Sequence, residues 1–239
     1  MKIIVTKNYD ELSQKSFEVI KQVVTENPFA VLGLATGSTP LGTYALMQSD
    51  HKNNKTSYKN VTIINLDEYV GLSKNHCQSY AYFMQENLFC SIDVDEKNCH
   101  IPNGMAESLQ NECERYSALL QTHKQDLQLL GVGPNGHIAF NEPNTPFDSL
   151  THVTTLTQST ILANSRFFNN PNEVPKQALT MGMKEILQAK KILFLATGKA
   201  KAQIVKKMLE KVSIDCPASA LLLHPDVTVI LDEESASFL

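Results

Sequence analysis

No apolar run in this chain approaches the roughly 18 to 20 residues needed to cross a bilayer. The N-terminus, MKIIVTKNYDELSQK, turns polar too early to hold the hydrophobic stretch of a secretory signal. Both absences predict a soluble, cytoplasmic protein with no membrane partner. Blocks of like charge are also missing. The 21 Lys and Arg and 25 Asp and Glu, for a formal net charge of −4, are spread along the chain, which argues against nucleic acid or an anionic membrane as a partner but leaves room for a small anion held by a local cluster. The five cysteines (Cys77, Cys90, Cys99, Cys113, Cys216) form an odd set without a C-x-x-C pair or a histidine at zinc-finger spacing, so neither a disulfide framework nor a structural metal is expected.

What is present suffices for one core: 239 residues, 42% of them hydrophobic, predict a single domain spanning residues 1–239. Short apolar runs alternate with amphipathic ones. KIIV, FAVLGLAT, VTIINL, LQLLGVG, KILFLAT and DVTVIL read as strands, with HVTTLT as a further candidate. Helical stretches are expected at residues 9–25, from about 39, and at 78–89, 106–123, 175–189 and 199–211. Continuous rather than alternating apolar strands are covered on both faces, which predicts an α/β fold: a doubly wound, mainly parallel, Rossmann-like sheet with helices on both sides. Sites in such sheets lie beyond the carboxyl ends of strands, here ATGSTP (35–40), LDEY (66–69), GVGPNGHIAFNEP (131–143) and ATGKAKA (196–202).

GVGPNG satisfies G-x-G-x-x-G, yet it does not read as a dinucleotide site. It follows a late strand, carries Pro134 between its glycines, and runs into Pro143 and Pro146 instead of a helix. No acidic residue closes a second strand about 20 residues later. What the segment does hold is Asn135, His137 and Glu142, the composition of a proton-transfer site, with a carboxylate placed to support a charged imidazole; a turn-capping His137 with a solvated Glu142 is the plainer alternative. Asp67 and Glu68, closing TIINL, offer a candidate general base on one side of the chain or the other, or serve as turn residues.

Gly37, Ser38 and Thr39 stand between a strand and a helix start with Pro40 in its first turn, a natural anion cradle. No G-K-[ST] follows, so a nucleoside triphosphate is disfavoured. The cation to complete the cradle is Lys199 or Lys201, with Arg166 of ANSRFF; position alone does not choose between the lysines.

Taken in order, ATGSTP, LDEY, GVGPNGHIAFNEP, NSRFF and TGKAKA resemble the glucosamine-6-phosphate deaminases over nearly the whole chain. The resemblance implies conversion of glucosamine 6-phosphate and water into fructose 6-phosphate and ammonium, without metal or organic cofactor. It implies that Asp67 carries the proton from C2 to C1, that His137 opens the sugar ring with Glu142 holding it, and that Ser38, Thr39, Arg166 and Lys201 bind the phosphate, Gly37 allowing close approach. Asn135 stands where large allosteric members have aspartate, which puts a relay role there in doubt. His152 and Thr154 stand where those members hold their effector with basic residues. A monomer or small homo-oligomer with hyperbolic kinetics is the expectation. A 6-phosphogluconolactonase-like hydrolase and a non-catalytic sugar-phosphate sensor are the rival functions.

Overall fold

The computed structural model describes every residue except Phe167, Asn169, Pro171 and Asn172. The first half of the chain runs β1 (Lys2–Thr6), α1 (Tyr9–Glu26), β2 (Val31–Leu34), α2 (Leu41–Lys52), β3 (Thr62–Asn65), β4 (Asp67–Tyr69), α3 (Tyr80–Asn87), β5 (Cys99–His100), α4 (Leu109–Thr122) and β6 (Leu127–Leu130). The second half runs β7 (His152–Thr155), α5 (Gln158–Ser165), β8 (Gln177–Thr180), α6 (Met183–Ile186), β9 (Ile192–Ala196), α7 (Ala202–Glu210) and β10 (Val227–Asp232). Seven strands form one parallel sheet in the order β1-β10-β9-β6-β2-β3-β5.

Two cores explain why its strands are apolar without alternation. Leu193 and Leu195 of β9 pack with α1 and α2 through Leu12, Ile20, Tyr44 and Met47. Ile192, Phe194 and Ala196 of the same strand pack against Tyr116 of α4 and Val205 and Met208 of α7. Successive side chains of a strand point to opposite faces, so a strand covered by helices on both has no position left for a polar residue. Helix α1 shows the complementary logic. Asn8 accepts from the Glu11 N–H to cap it, Asp10 and Glu11 occupy its first turn, and Leu12, Phe17, Ile20, Val23 and Val24 form its buried stripe.

The structure departs from the sequence expectations beside the main sheet. Residues 175–189 are not one helix: QALT forms β8, which pairs antiparallel with β4 and β7 in a separate three-stranded sheet, and only the single turn α6 follows. Long-range pairing overrides helical propensity there. Asp67 and Glu68 likewise do not close TIINL. The chain turns at Leu66, whose carbonyl accepts from the Met181 N–H at 2.7 Å, and LDEY opens the small sheet as β4. Helix α5, capped by Thr157 on the Thr160 N–H, has no counterpart among the expected elements.

Candidate active site

A cavity of about 470 Å³ opens at the carboxyl ends of β2, β3, β6 and β9. Strand order runs outward from β2 to β3 and β5 on one side, and from β6 to β9 and β10 on the other. The cavity therefore sits where the winding reverses, the place doubly wound sheets leave a crevice. All four strand-end motifs reach it.

The carboxylates of LDEY separate by strand alternation. Asp67 lines the cavity and is buried. Glu68 faces away and binds the start of α3, its Oε1 accepting from the Tyr69 and Tyr80 N–H groups and its Oε2 from that of Ala81. Glu68 is thus fully engaged in structure, leaving Asp67 as the carboxylate of the pair that lines this cavity. Burial, joined by the charge of adjacent Glu68, pushes the Asp67 carboxyl well above the usual range.

Across the cavity, the GVGPNGHIAFNEP loop builds a second titratable cluster. The His137 imidazole lies 3.6 Å through Nδ1 from Glu142 Oε2. Asn135 Nδ2 donates to the same Oε2 at 2.7 Å, while Asn135 Oδ1 accepts from the His137 N–H at 3.2 Å. On the other oxygen, Glu142 Oε1 accepts from the N–H and hydroxyl of Thr157. Burial alone would raise the Glu142 carboxyl, but hydrogen bonds from His137, Thr160 and Asn135, with the imidazole's charge, hold it at about 2. This carboxylate is a permanently charged partner for a histidine. His137 and Glu142 are therefore neither a turn cap nor a solvated acid.

The phosphate candidates converge on the remaining wall. Gly37, Ser38 and Thr39 line it, with Gly37 in the left-handed region at φ +97°, where a side chain would be strained. Neither hydroxyl caps α2, whose cap residue is Pro40 without a side-chain bond. Tyr9 braces the loop instead, donating toward the carbonyls of Ser38 and Thr39 and accepting from the Gly42 N–H. Gly33 in β2 has a different use: a Cβ there would stand 2.0 Å from Gln128 Oε1, so the glycine admits a buried side chain inside the sheet. Arg166 and Lys201 line the cavity, and Lys199 does not. Lys201 donates to the Val132 carbonyl at 2.7 Å, and burial together with the Arg166 charge lowers its pKa.

Several residues at the site escape sequence reasoning. Tyr80 and Asn164 line the cavity from α3 and α5, and Thr157, which caps α5, acts on it only through its bonds to Glu142. Asp232 was accessible to the strand-end rule. At the end of β10 it accepts from the Thr197 hydroxyl and the N–H groups of Gly198 and Ser235, which fixes the loop that carries Lys201.

The fold and site define a doubly wound α/β protein in which two cations and titratable acid/base groups line one crevice. The chain belongs to the family of glucosamine-6-phosphate isomerases and 6-phosphogluconolactonases, whose model matches residues 6–230. A glucosamine-6-phosphate deaminase of Thermoanaerobacter pseudethanolicus is 49% identical over 241 residues, covering 100% of this chain and 95% of that one. One from Geobacillus sp. is 51% identical over 239 residues, covering 99% and 95%. Among solved structures, a monomeric glucosamine-6-phosphate deaminase superposes with a TM-score of 0.98 at 48% identity over the full length of both chains. The 6-phosphogluconolactonase of Trypanosoma brucei, at 21% identity and a TM-score of 0.82, shares the fold.

Proposed function

We propose that this protein is a glucosamine-6-phosphate deaminase, converting glucosamine 6-phosphate and water into fructose 6-phosphate and ammonium. The observation that carries this is that Asp67, His137, Arg166 and Lys201 line one cavity, with His137 backed by Glu142 and Asn135. Full-length identity of about half to deaminases supports it.

Arg166, Lys201, Ser38 and Thr39 hold the phosphate, the guanidinium offering a two-pronged contact. That anchor makes the later proton transfers intramolecular in effect. His137 moves a proton at the ring oxygen to open the pyranose, its charged form supported by Glu142. Asp67 takes the C2 proton and returns it at C1, turning the aldose amine into a ketose imine. Water adds to the imine carbon and the C–N bond breaks, releasing ammonium. Asn135 needs no proton of its own in this scheme, because it holds Glu142 and the His137 backbone together. A lactonase would use His137 and leave Asp67 idle.

A cytoplasmic, monomeric or small oligomeric enzyme with hyperbolic kinetics completes the reading. Its support is the monomeric solved relative, together with His152 and Thr154 on β7 in place of basic effector contacts. Among the described residues, no helix is long and apolar enough to cross a membrane. The test is release of ammonium and fructose 6-phosphate by the purified protein with no metal added and undiminished by EDTA. Lactone hydrolysis without ammonium release, or a rate that collapses on chelation and returns with zinc, would refute it.

A further inference from the structure

The two halves of the site are joined by a contact that belongs to neither. Asn164 lies in α5, two residues before Arg166, and its Nδ2 donates to the hydroxyl of Tyr69 at 2.9 Å. Tyr69 lies in β4, two residues after Asp67 and on the same face of that strand. Its ring is buried at 2% exposure and stands 5.0 Å from Tyr80 and 5.4 Å from Phe140, which in turn lies 6.3 Å from the His137 ring. The phenol thus occupies the junction of the base-bearing strand, the histidine loop and the helix that leads to Arg166.

We propose that Asn164 and Tyr69 form a latch that registers the phosphate-binding end of α5 against β4, so that a substrate held by its phosphate meets Asp67 at the distance proton abstraction requires. Both are positioning residues acting through Asp67. The physical need follows from the two-ended site. The phosphate and C2 are at opposite ends of the sugar, and they are gripped by elements far apart in sequence that share no backbone hydrogen bonds among those described. An error of about 1 Å between the two grips is enough to cost up to two orders of magnitude in rate. Pulling α5 away also strips a buried hydroxyl of a partner, an unfavourable change that keeps the latch closed. Aromatic packing on Phe140 and Tyr80 fixes the ring, so the hydrogen bond adds a directional tie near the Arg166 end of α5 to the Thr157–Glu142 bonds at its start and the packing of Ile161 and Phe168 on the same cluster.

This inference rests on the deaminase reading, and one kinetic series separates the two. Tyr69→Phe removes the hydroxyl and keeps the ring. Asn164→Ala, at a partly exposed helical position, removes the donor without disturbing the aromatic cluster. Each should lower kcat for glucosamine 6-phosphate, and C2 hydrogen exchange with it, about two- to tenfold, the value of one neutral hydrogen bond. Inhibition by inorganic phosphate should stay unchanged, because Lys201 and Arg166 remain. The double variant should be no slower than Tyr69→Phe, which deletes the Asn164 bond together with the hydroxyl's contact to Tyr80. An inactive wild type would overturn the deaminase reading itself. An active wild type whose variants keep full kcat, lose phosphate affinity instead, or multiply their defects in the double variant would overturn the latch.

Discussion

The imidazole of His137 lies directly on the backbone of Gly133: a Cβ built at residue 133 would stand 2.1 Å from His137 Cε1 and 2.2 Å from Nε2. The G-x-G-x-x-G pattern thus has a use unrelated to a pyrophosphate. Its second glycine clears the place where the ring docks, and the Gly133 N–H donates to the His137 carbonyl at 3.0 Å to close the loop.

Gly133→Ala should therefore damage catalysis while sparing the fold. The clash is with the end of a side chain, so the ring swings away and the backbone need not move. Turnover should fall about 10²-fold or more, within the range that general acid/base help supplies. Binding of inorganic phosphate should stay within about twofold of wild type, since no phosphate contact is touched. Wild-type turnover in a folded Gly133→Ala protein would show that His137 is not held where this structure puts it.

Asp67→Asn should abolish turnover and C2 exchange yet stabilise the protein at neutral pH. Burial and the neighbouring Glu68 raise the Asp67 carboxyl well above 3.8, so between those values the folded protein holds a proton that the unfolded chain releases. Its contribution to stability is complete below 3.8 and is lost as pH rises through the raised pKa. Asparagine does not titrate. The variant's advantage in thermal unfolding should vanish near about pH 3.5 and grow toward about pH 8. Every tenfold gain in proton affinity that Asp67 acquires on folding corresponds to about 1.4 kcal/mol, or several degrees in Tm for a chain of this size. An unchanged or lower Tm on the alkaline side would refute the buried, proton-hungry environment.

These two residues also mark how much of the protein was legible in its chain. The main sheet was readable because strands such as ILFLA, covered on both faces, leave an unbroken apolar run. The site residues were readable because strand ends collect at one edge of such a sheet. Apart from the family resemblance, Asp67 could not be told from Glu68, because the choice depends on β4, a three-residue strand that pairs with β8. Residues 177–180 carry no local signature that outweighs helical propensity. Asn164 and Thr157 act through α5, whose position comes from tertiary contacts. Position along the chain did not separate Lys201 from Lys199, as the family resemblance did; the three-residue 3₁₀ turn Lys199–Lys201 turns Lys201 into the cavity and leaves Lys199 out of it.

Asn135→Asp probes the cluster around Glu142 by charge. The amide donates to Glu142 at 2.7 Å and helps to hold that carboxyl at about 2 against its ordinary 4.5. With a depressed folded-state value, Glu142 contributes stability that is present above pH 4.5 and lost as pH falls through about 2. A carboxylate at 135 removes the donor and adds a like charge, so the Glu142 value must rise and that contribution must shrink. Denaturant unfolding should find the variant less stable by roughly 1 to 3 kcal/mol at about pH 6, the range for an interaction with a charged group. The difference should narrow as pH falls through about 2, where the carboxyl takes up its proton in the folded state as well. Equal stability across that range would remove Asn135 from the support of Glu142.

Lys201 and Lys199 make the sharpest pair for the anion site, since they differ by two residues and by which way they face. Lys201 is half-buried and bonded to the Val132 carbonyl. Lys199 is exposed, and its N–H donates to Glu234 at 3.2 Å. Lys201→Ala should weaken inorganic phosphate and fructose 6-phosphate about ten- to 150-fold, the equivalent of a charged hydrogen bond of roughly 1.5 to 3 kcal/mol. Lys199→Ala should change either affinity less than about twofold, as expected for an exposed charge. The pH dependence gives an independent readout. Burial, and then the Arg166 charge, lower the Lys201 pKa below 10.5, so the free site sheds its proton sooner than an exposed lysine on the alkaline side. A bound phosphate favours the ammonium form and must draw that proton back, so affinity measured calorimetrically from about pH 7 to 10 should fall with proton uptake in wild type and in Lys199→Ala. Both effects should be absent in Lys201→Ala. If proton uptake persists without Lys201, the titrating partner of the anion is another group, and the cradle must be redrawn around Arg166 and the Gly37–Thr39 loop.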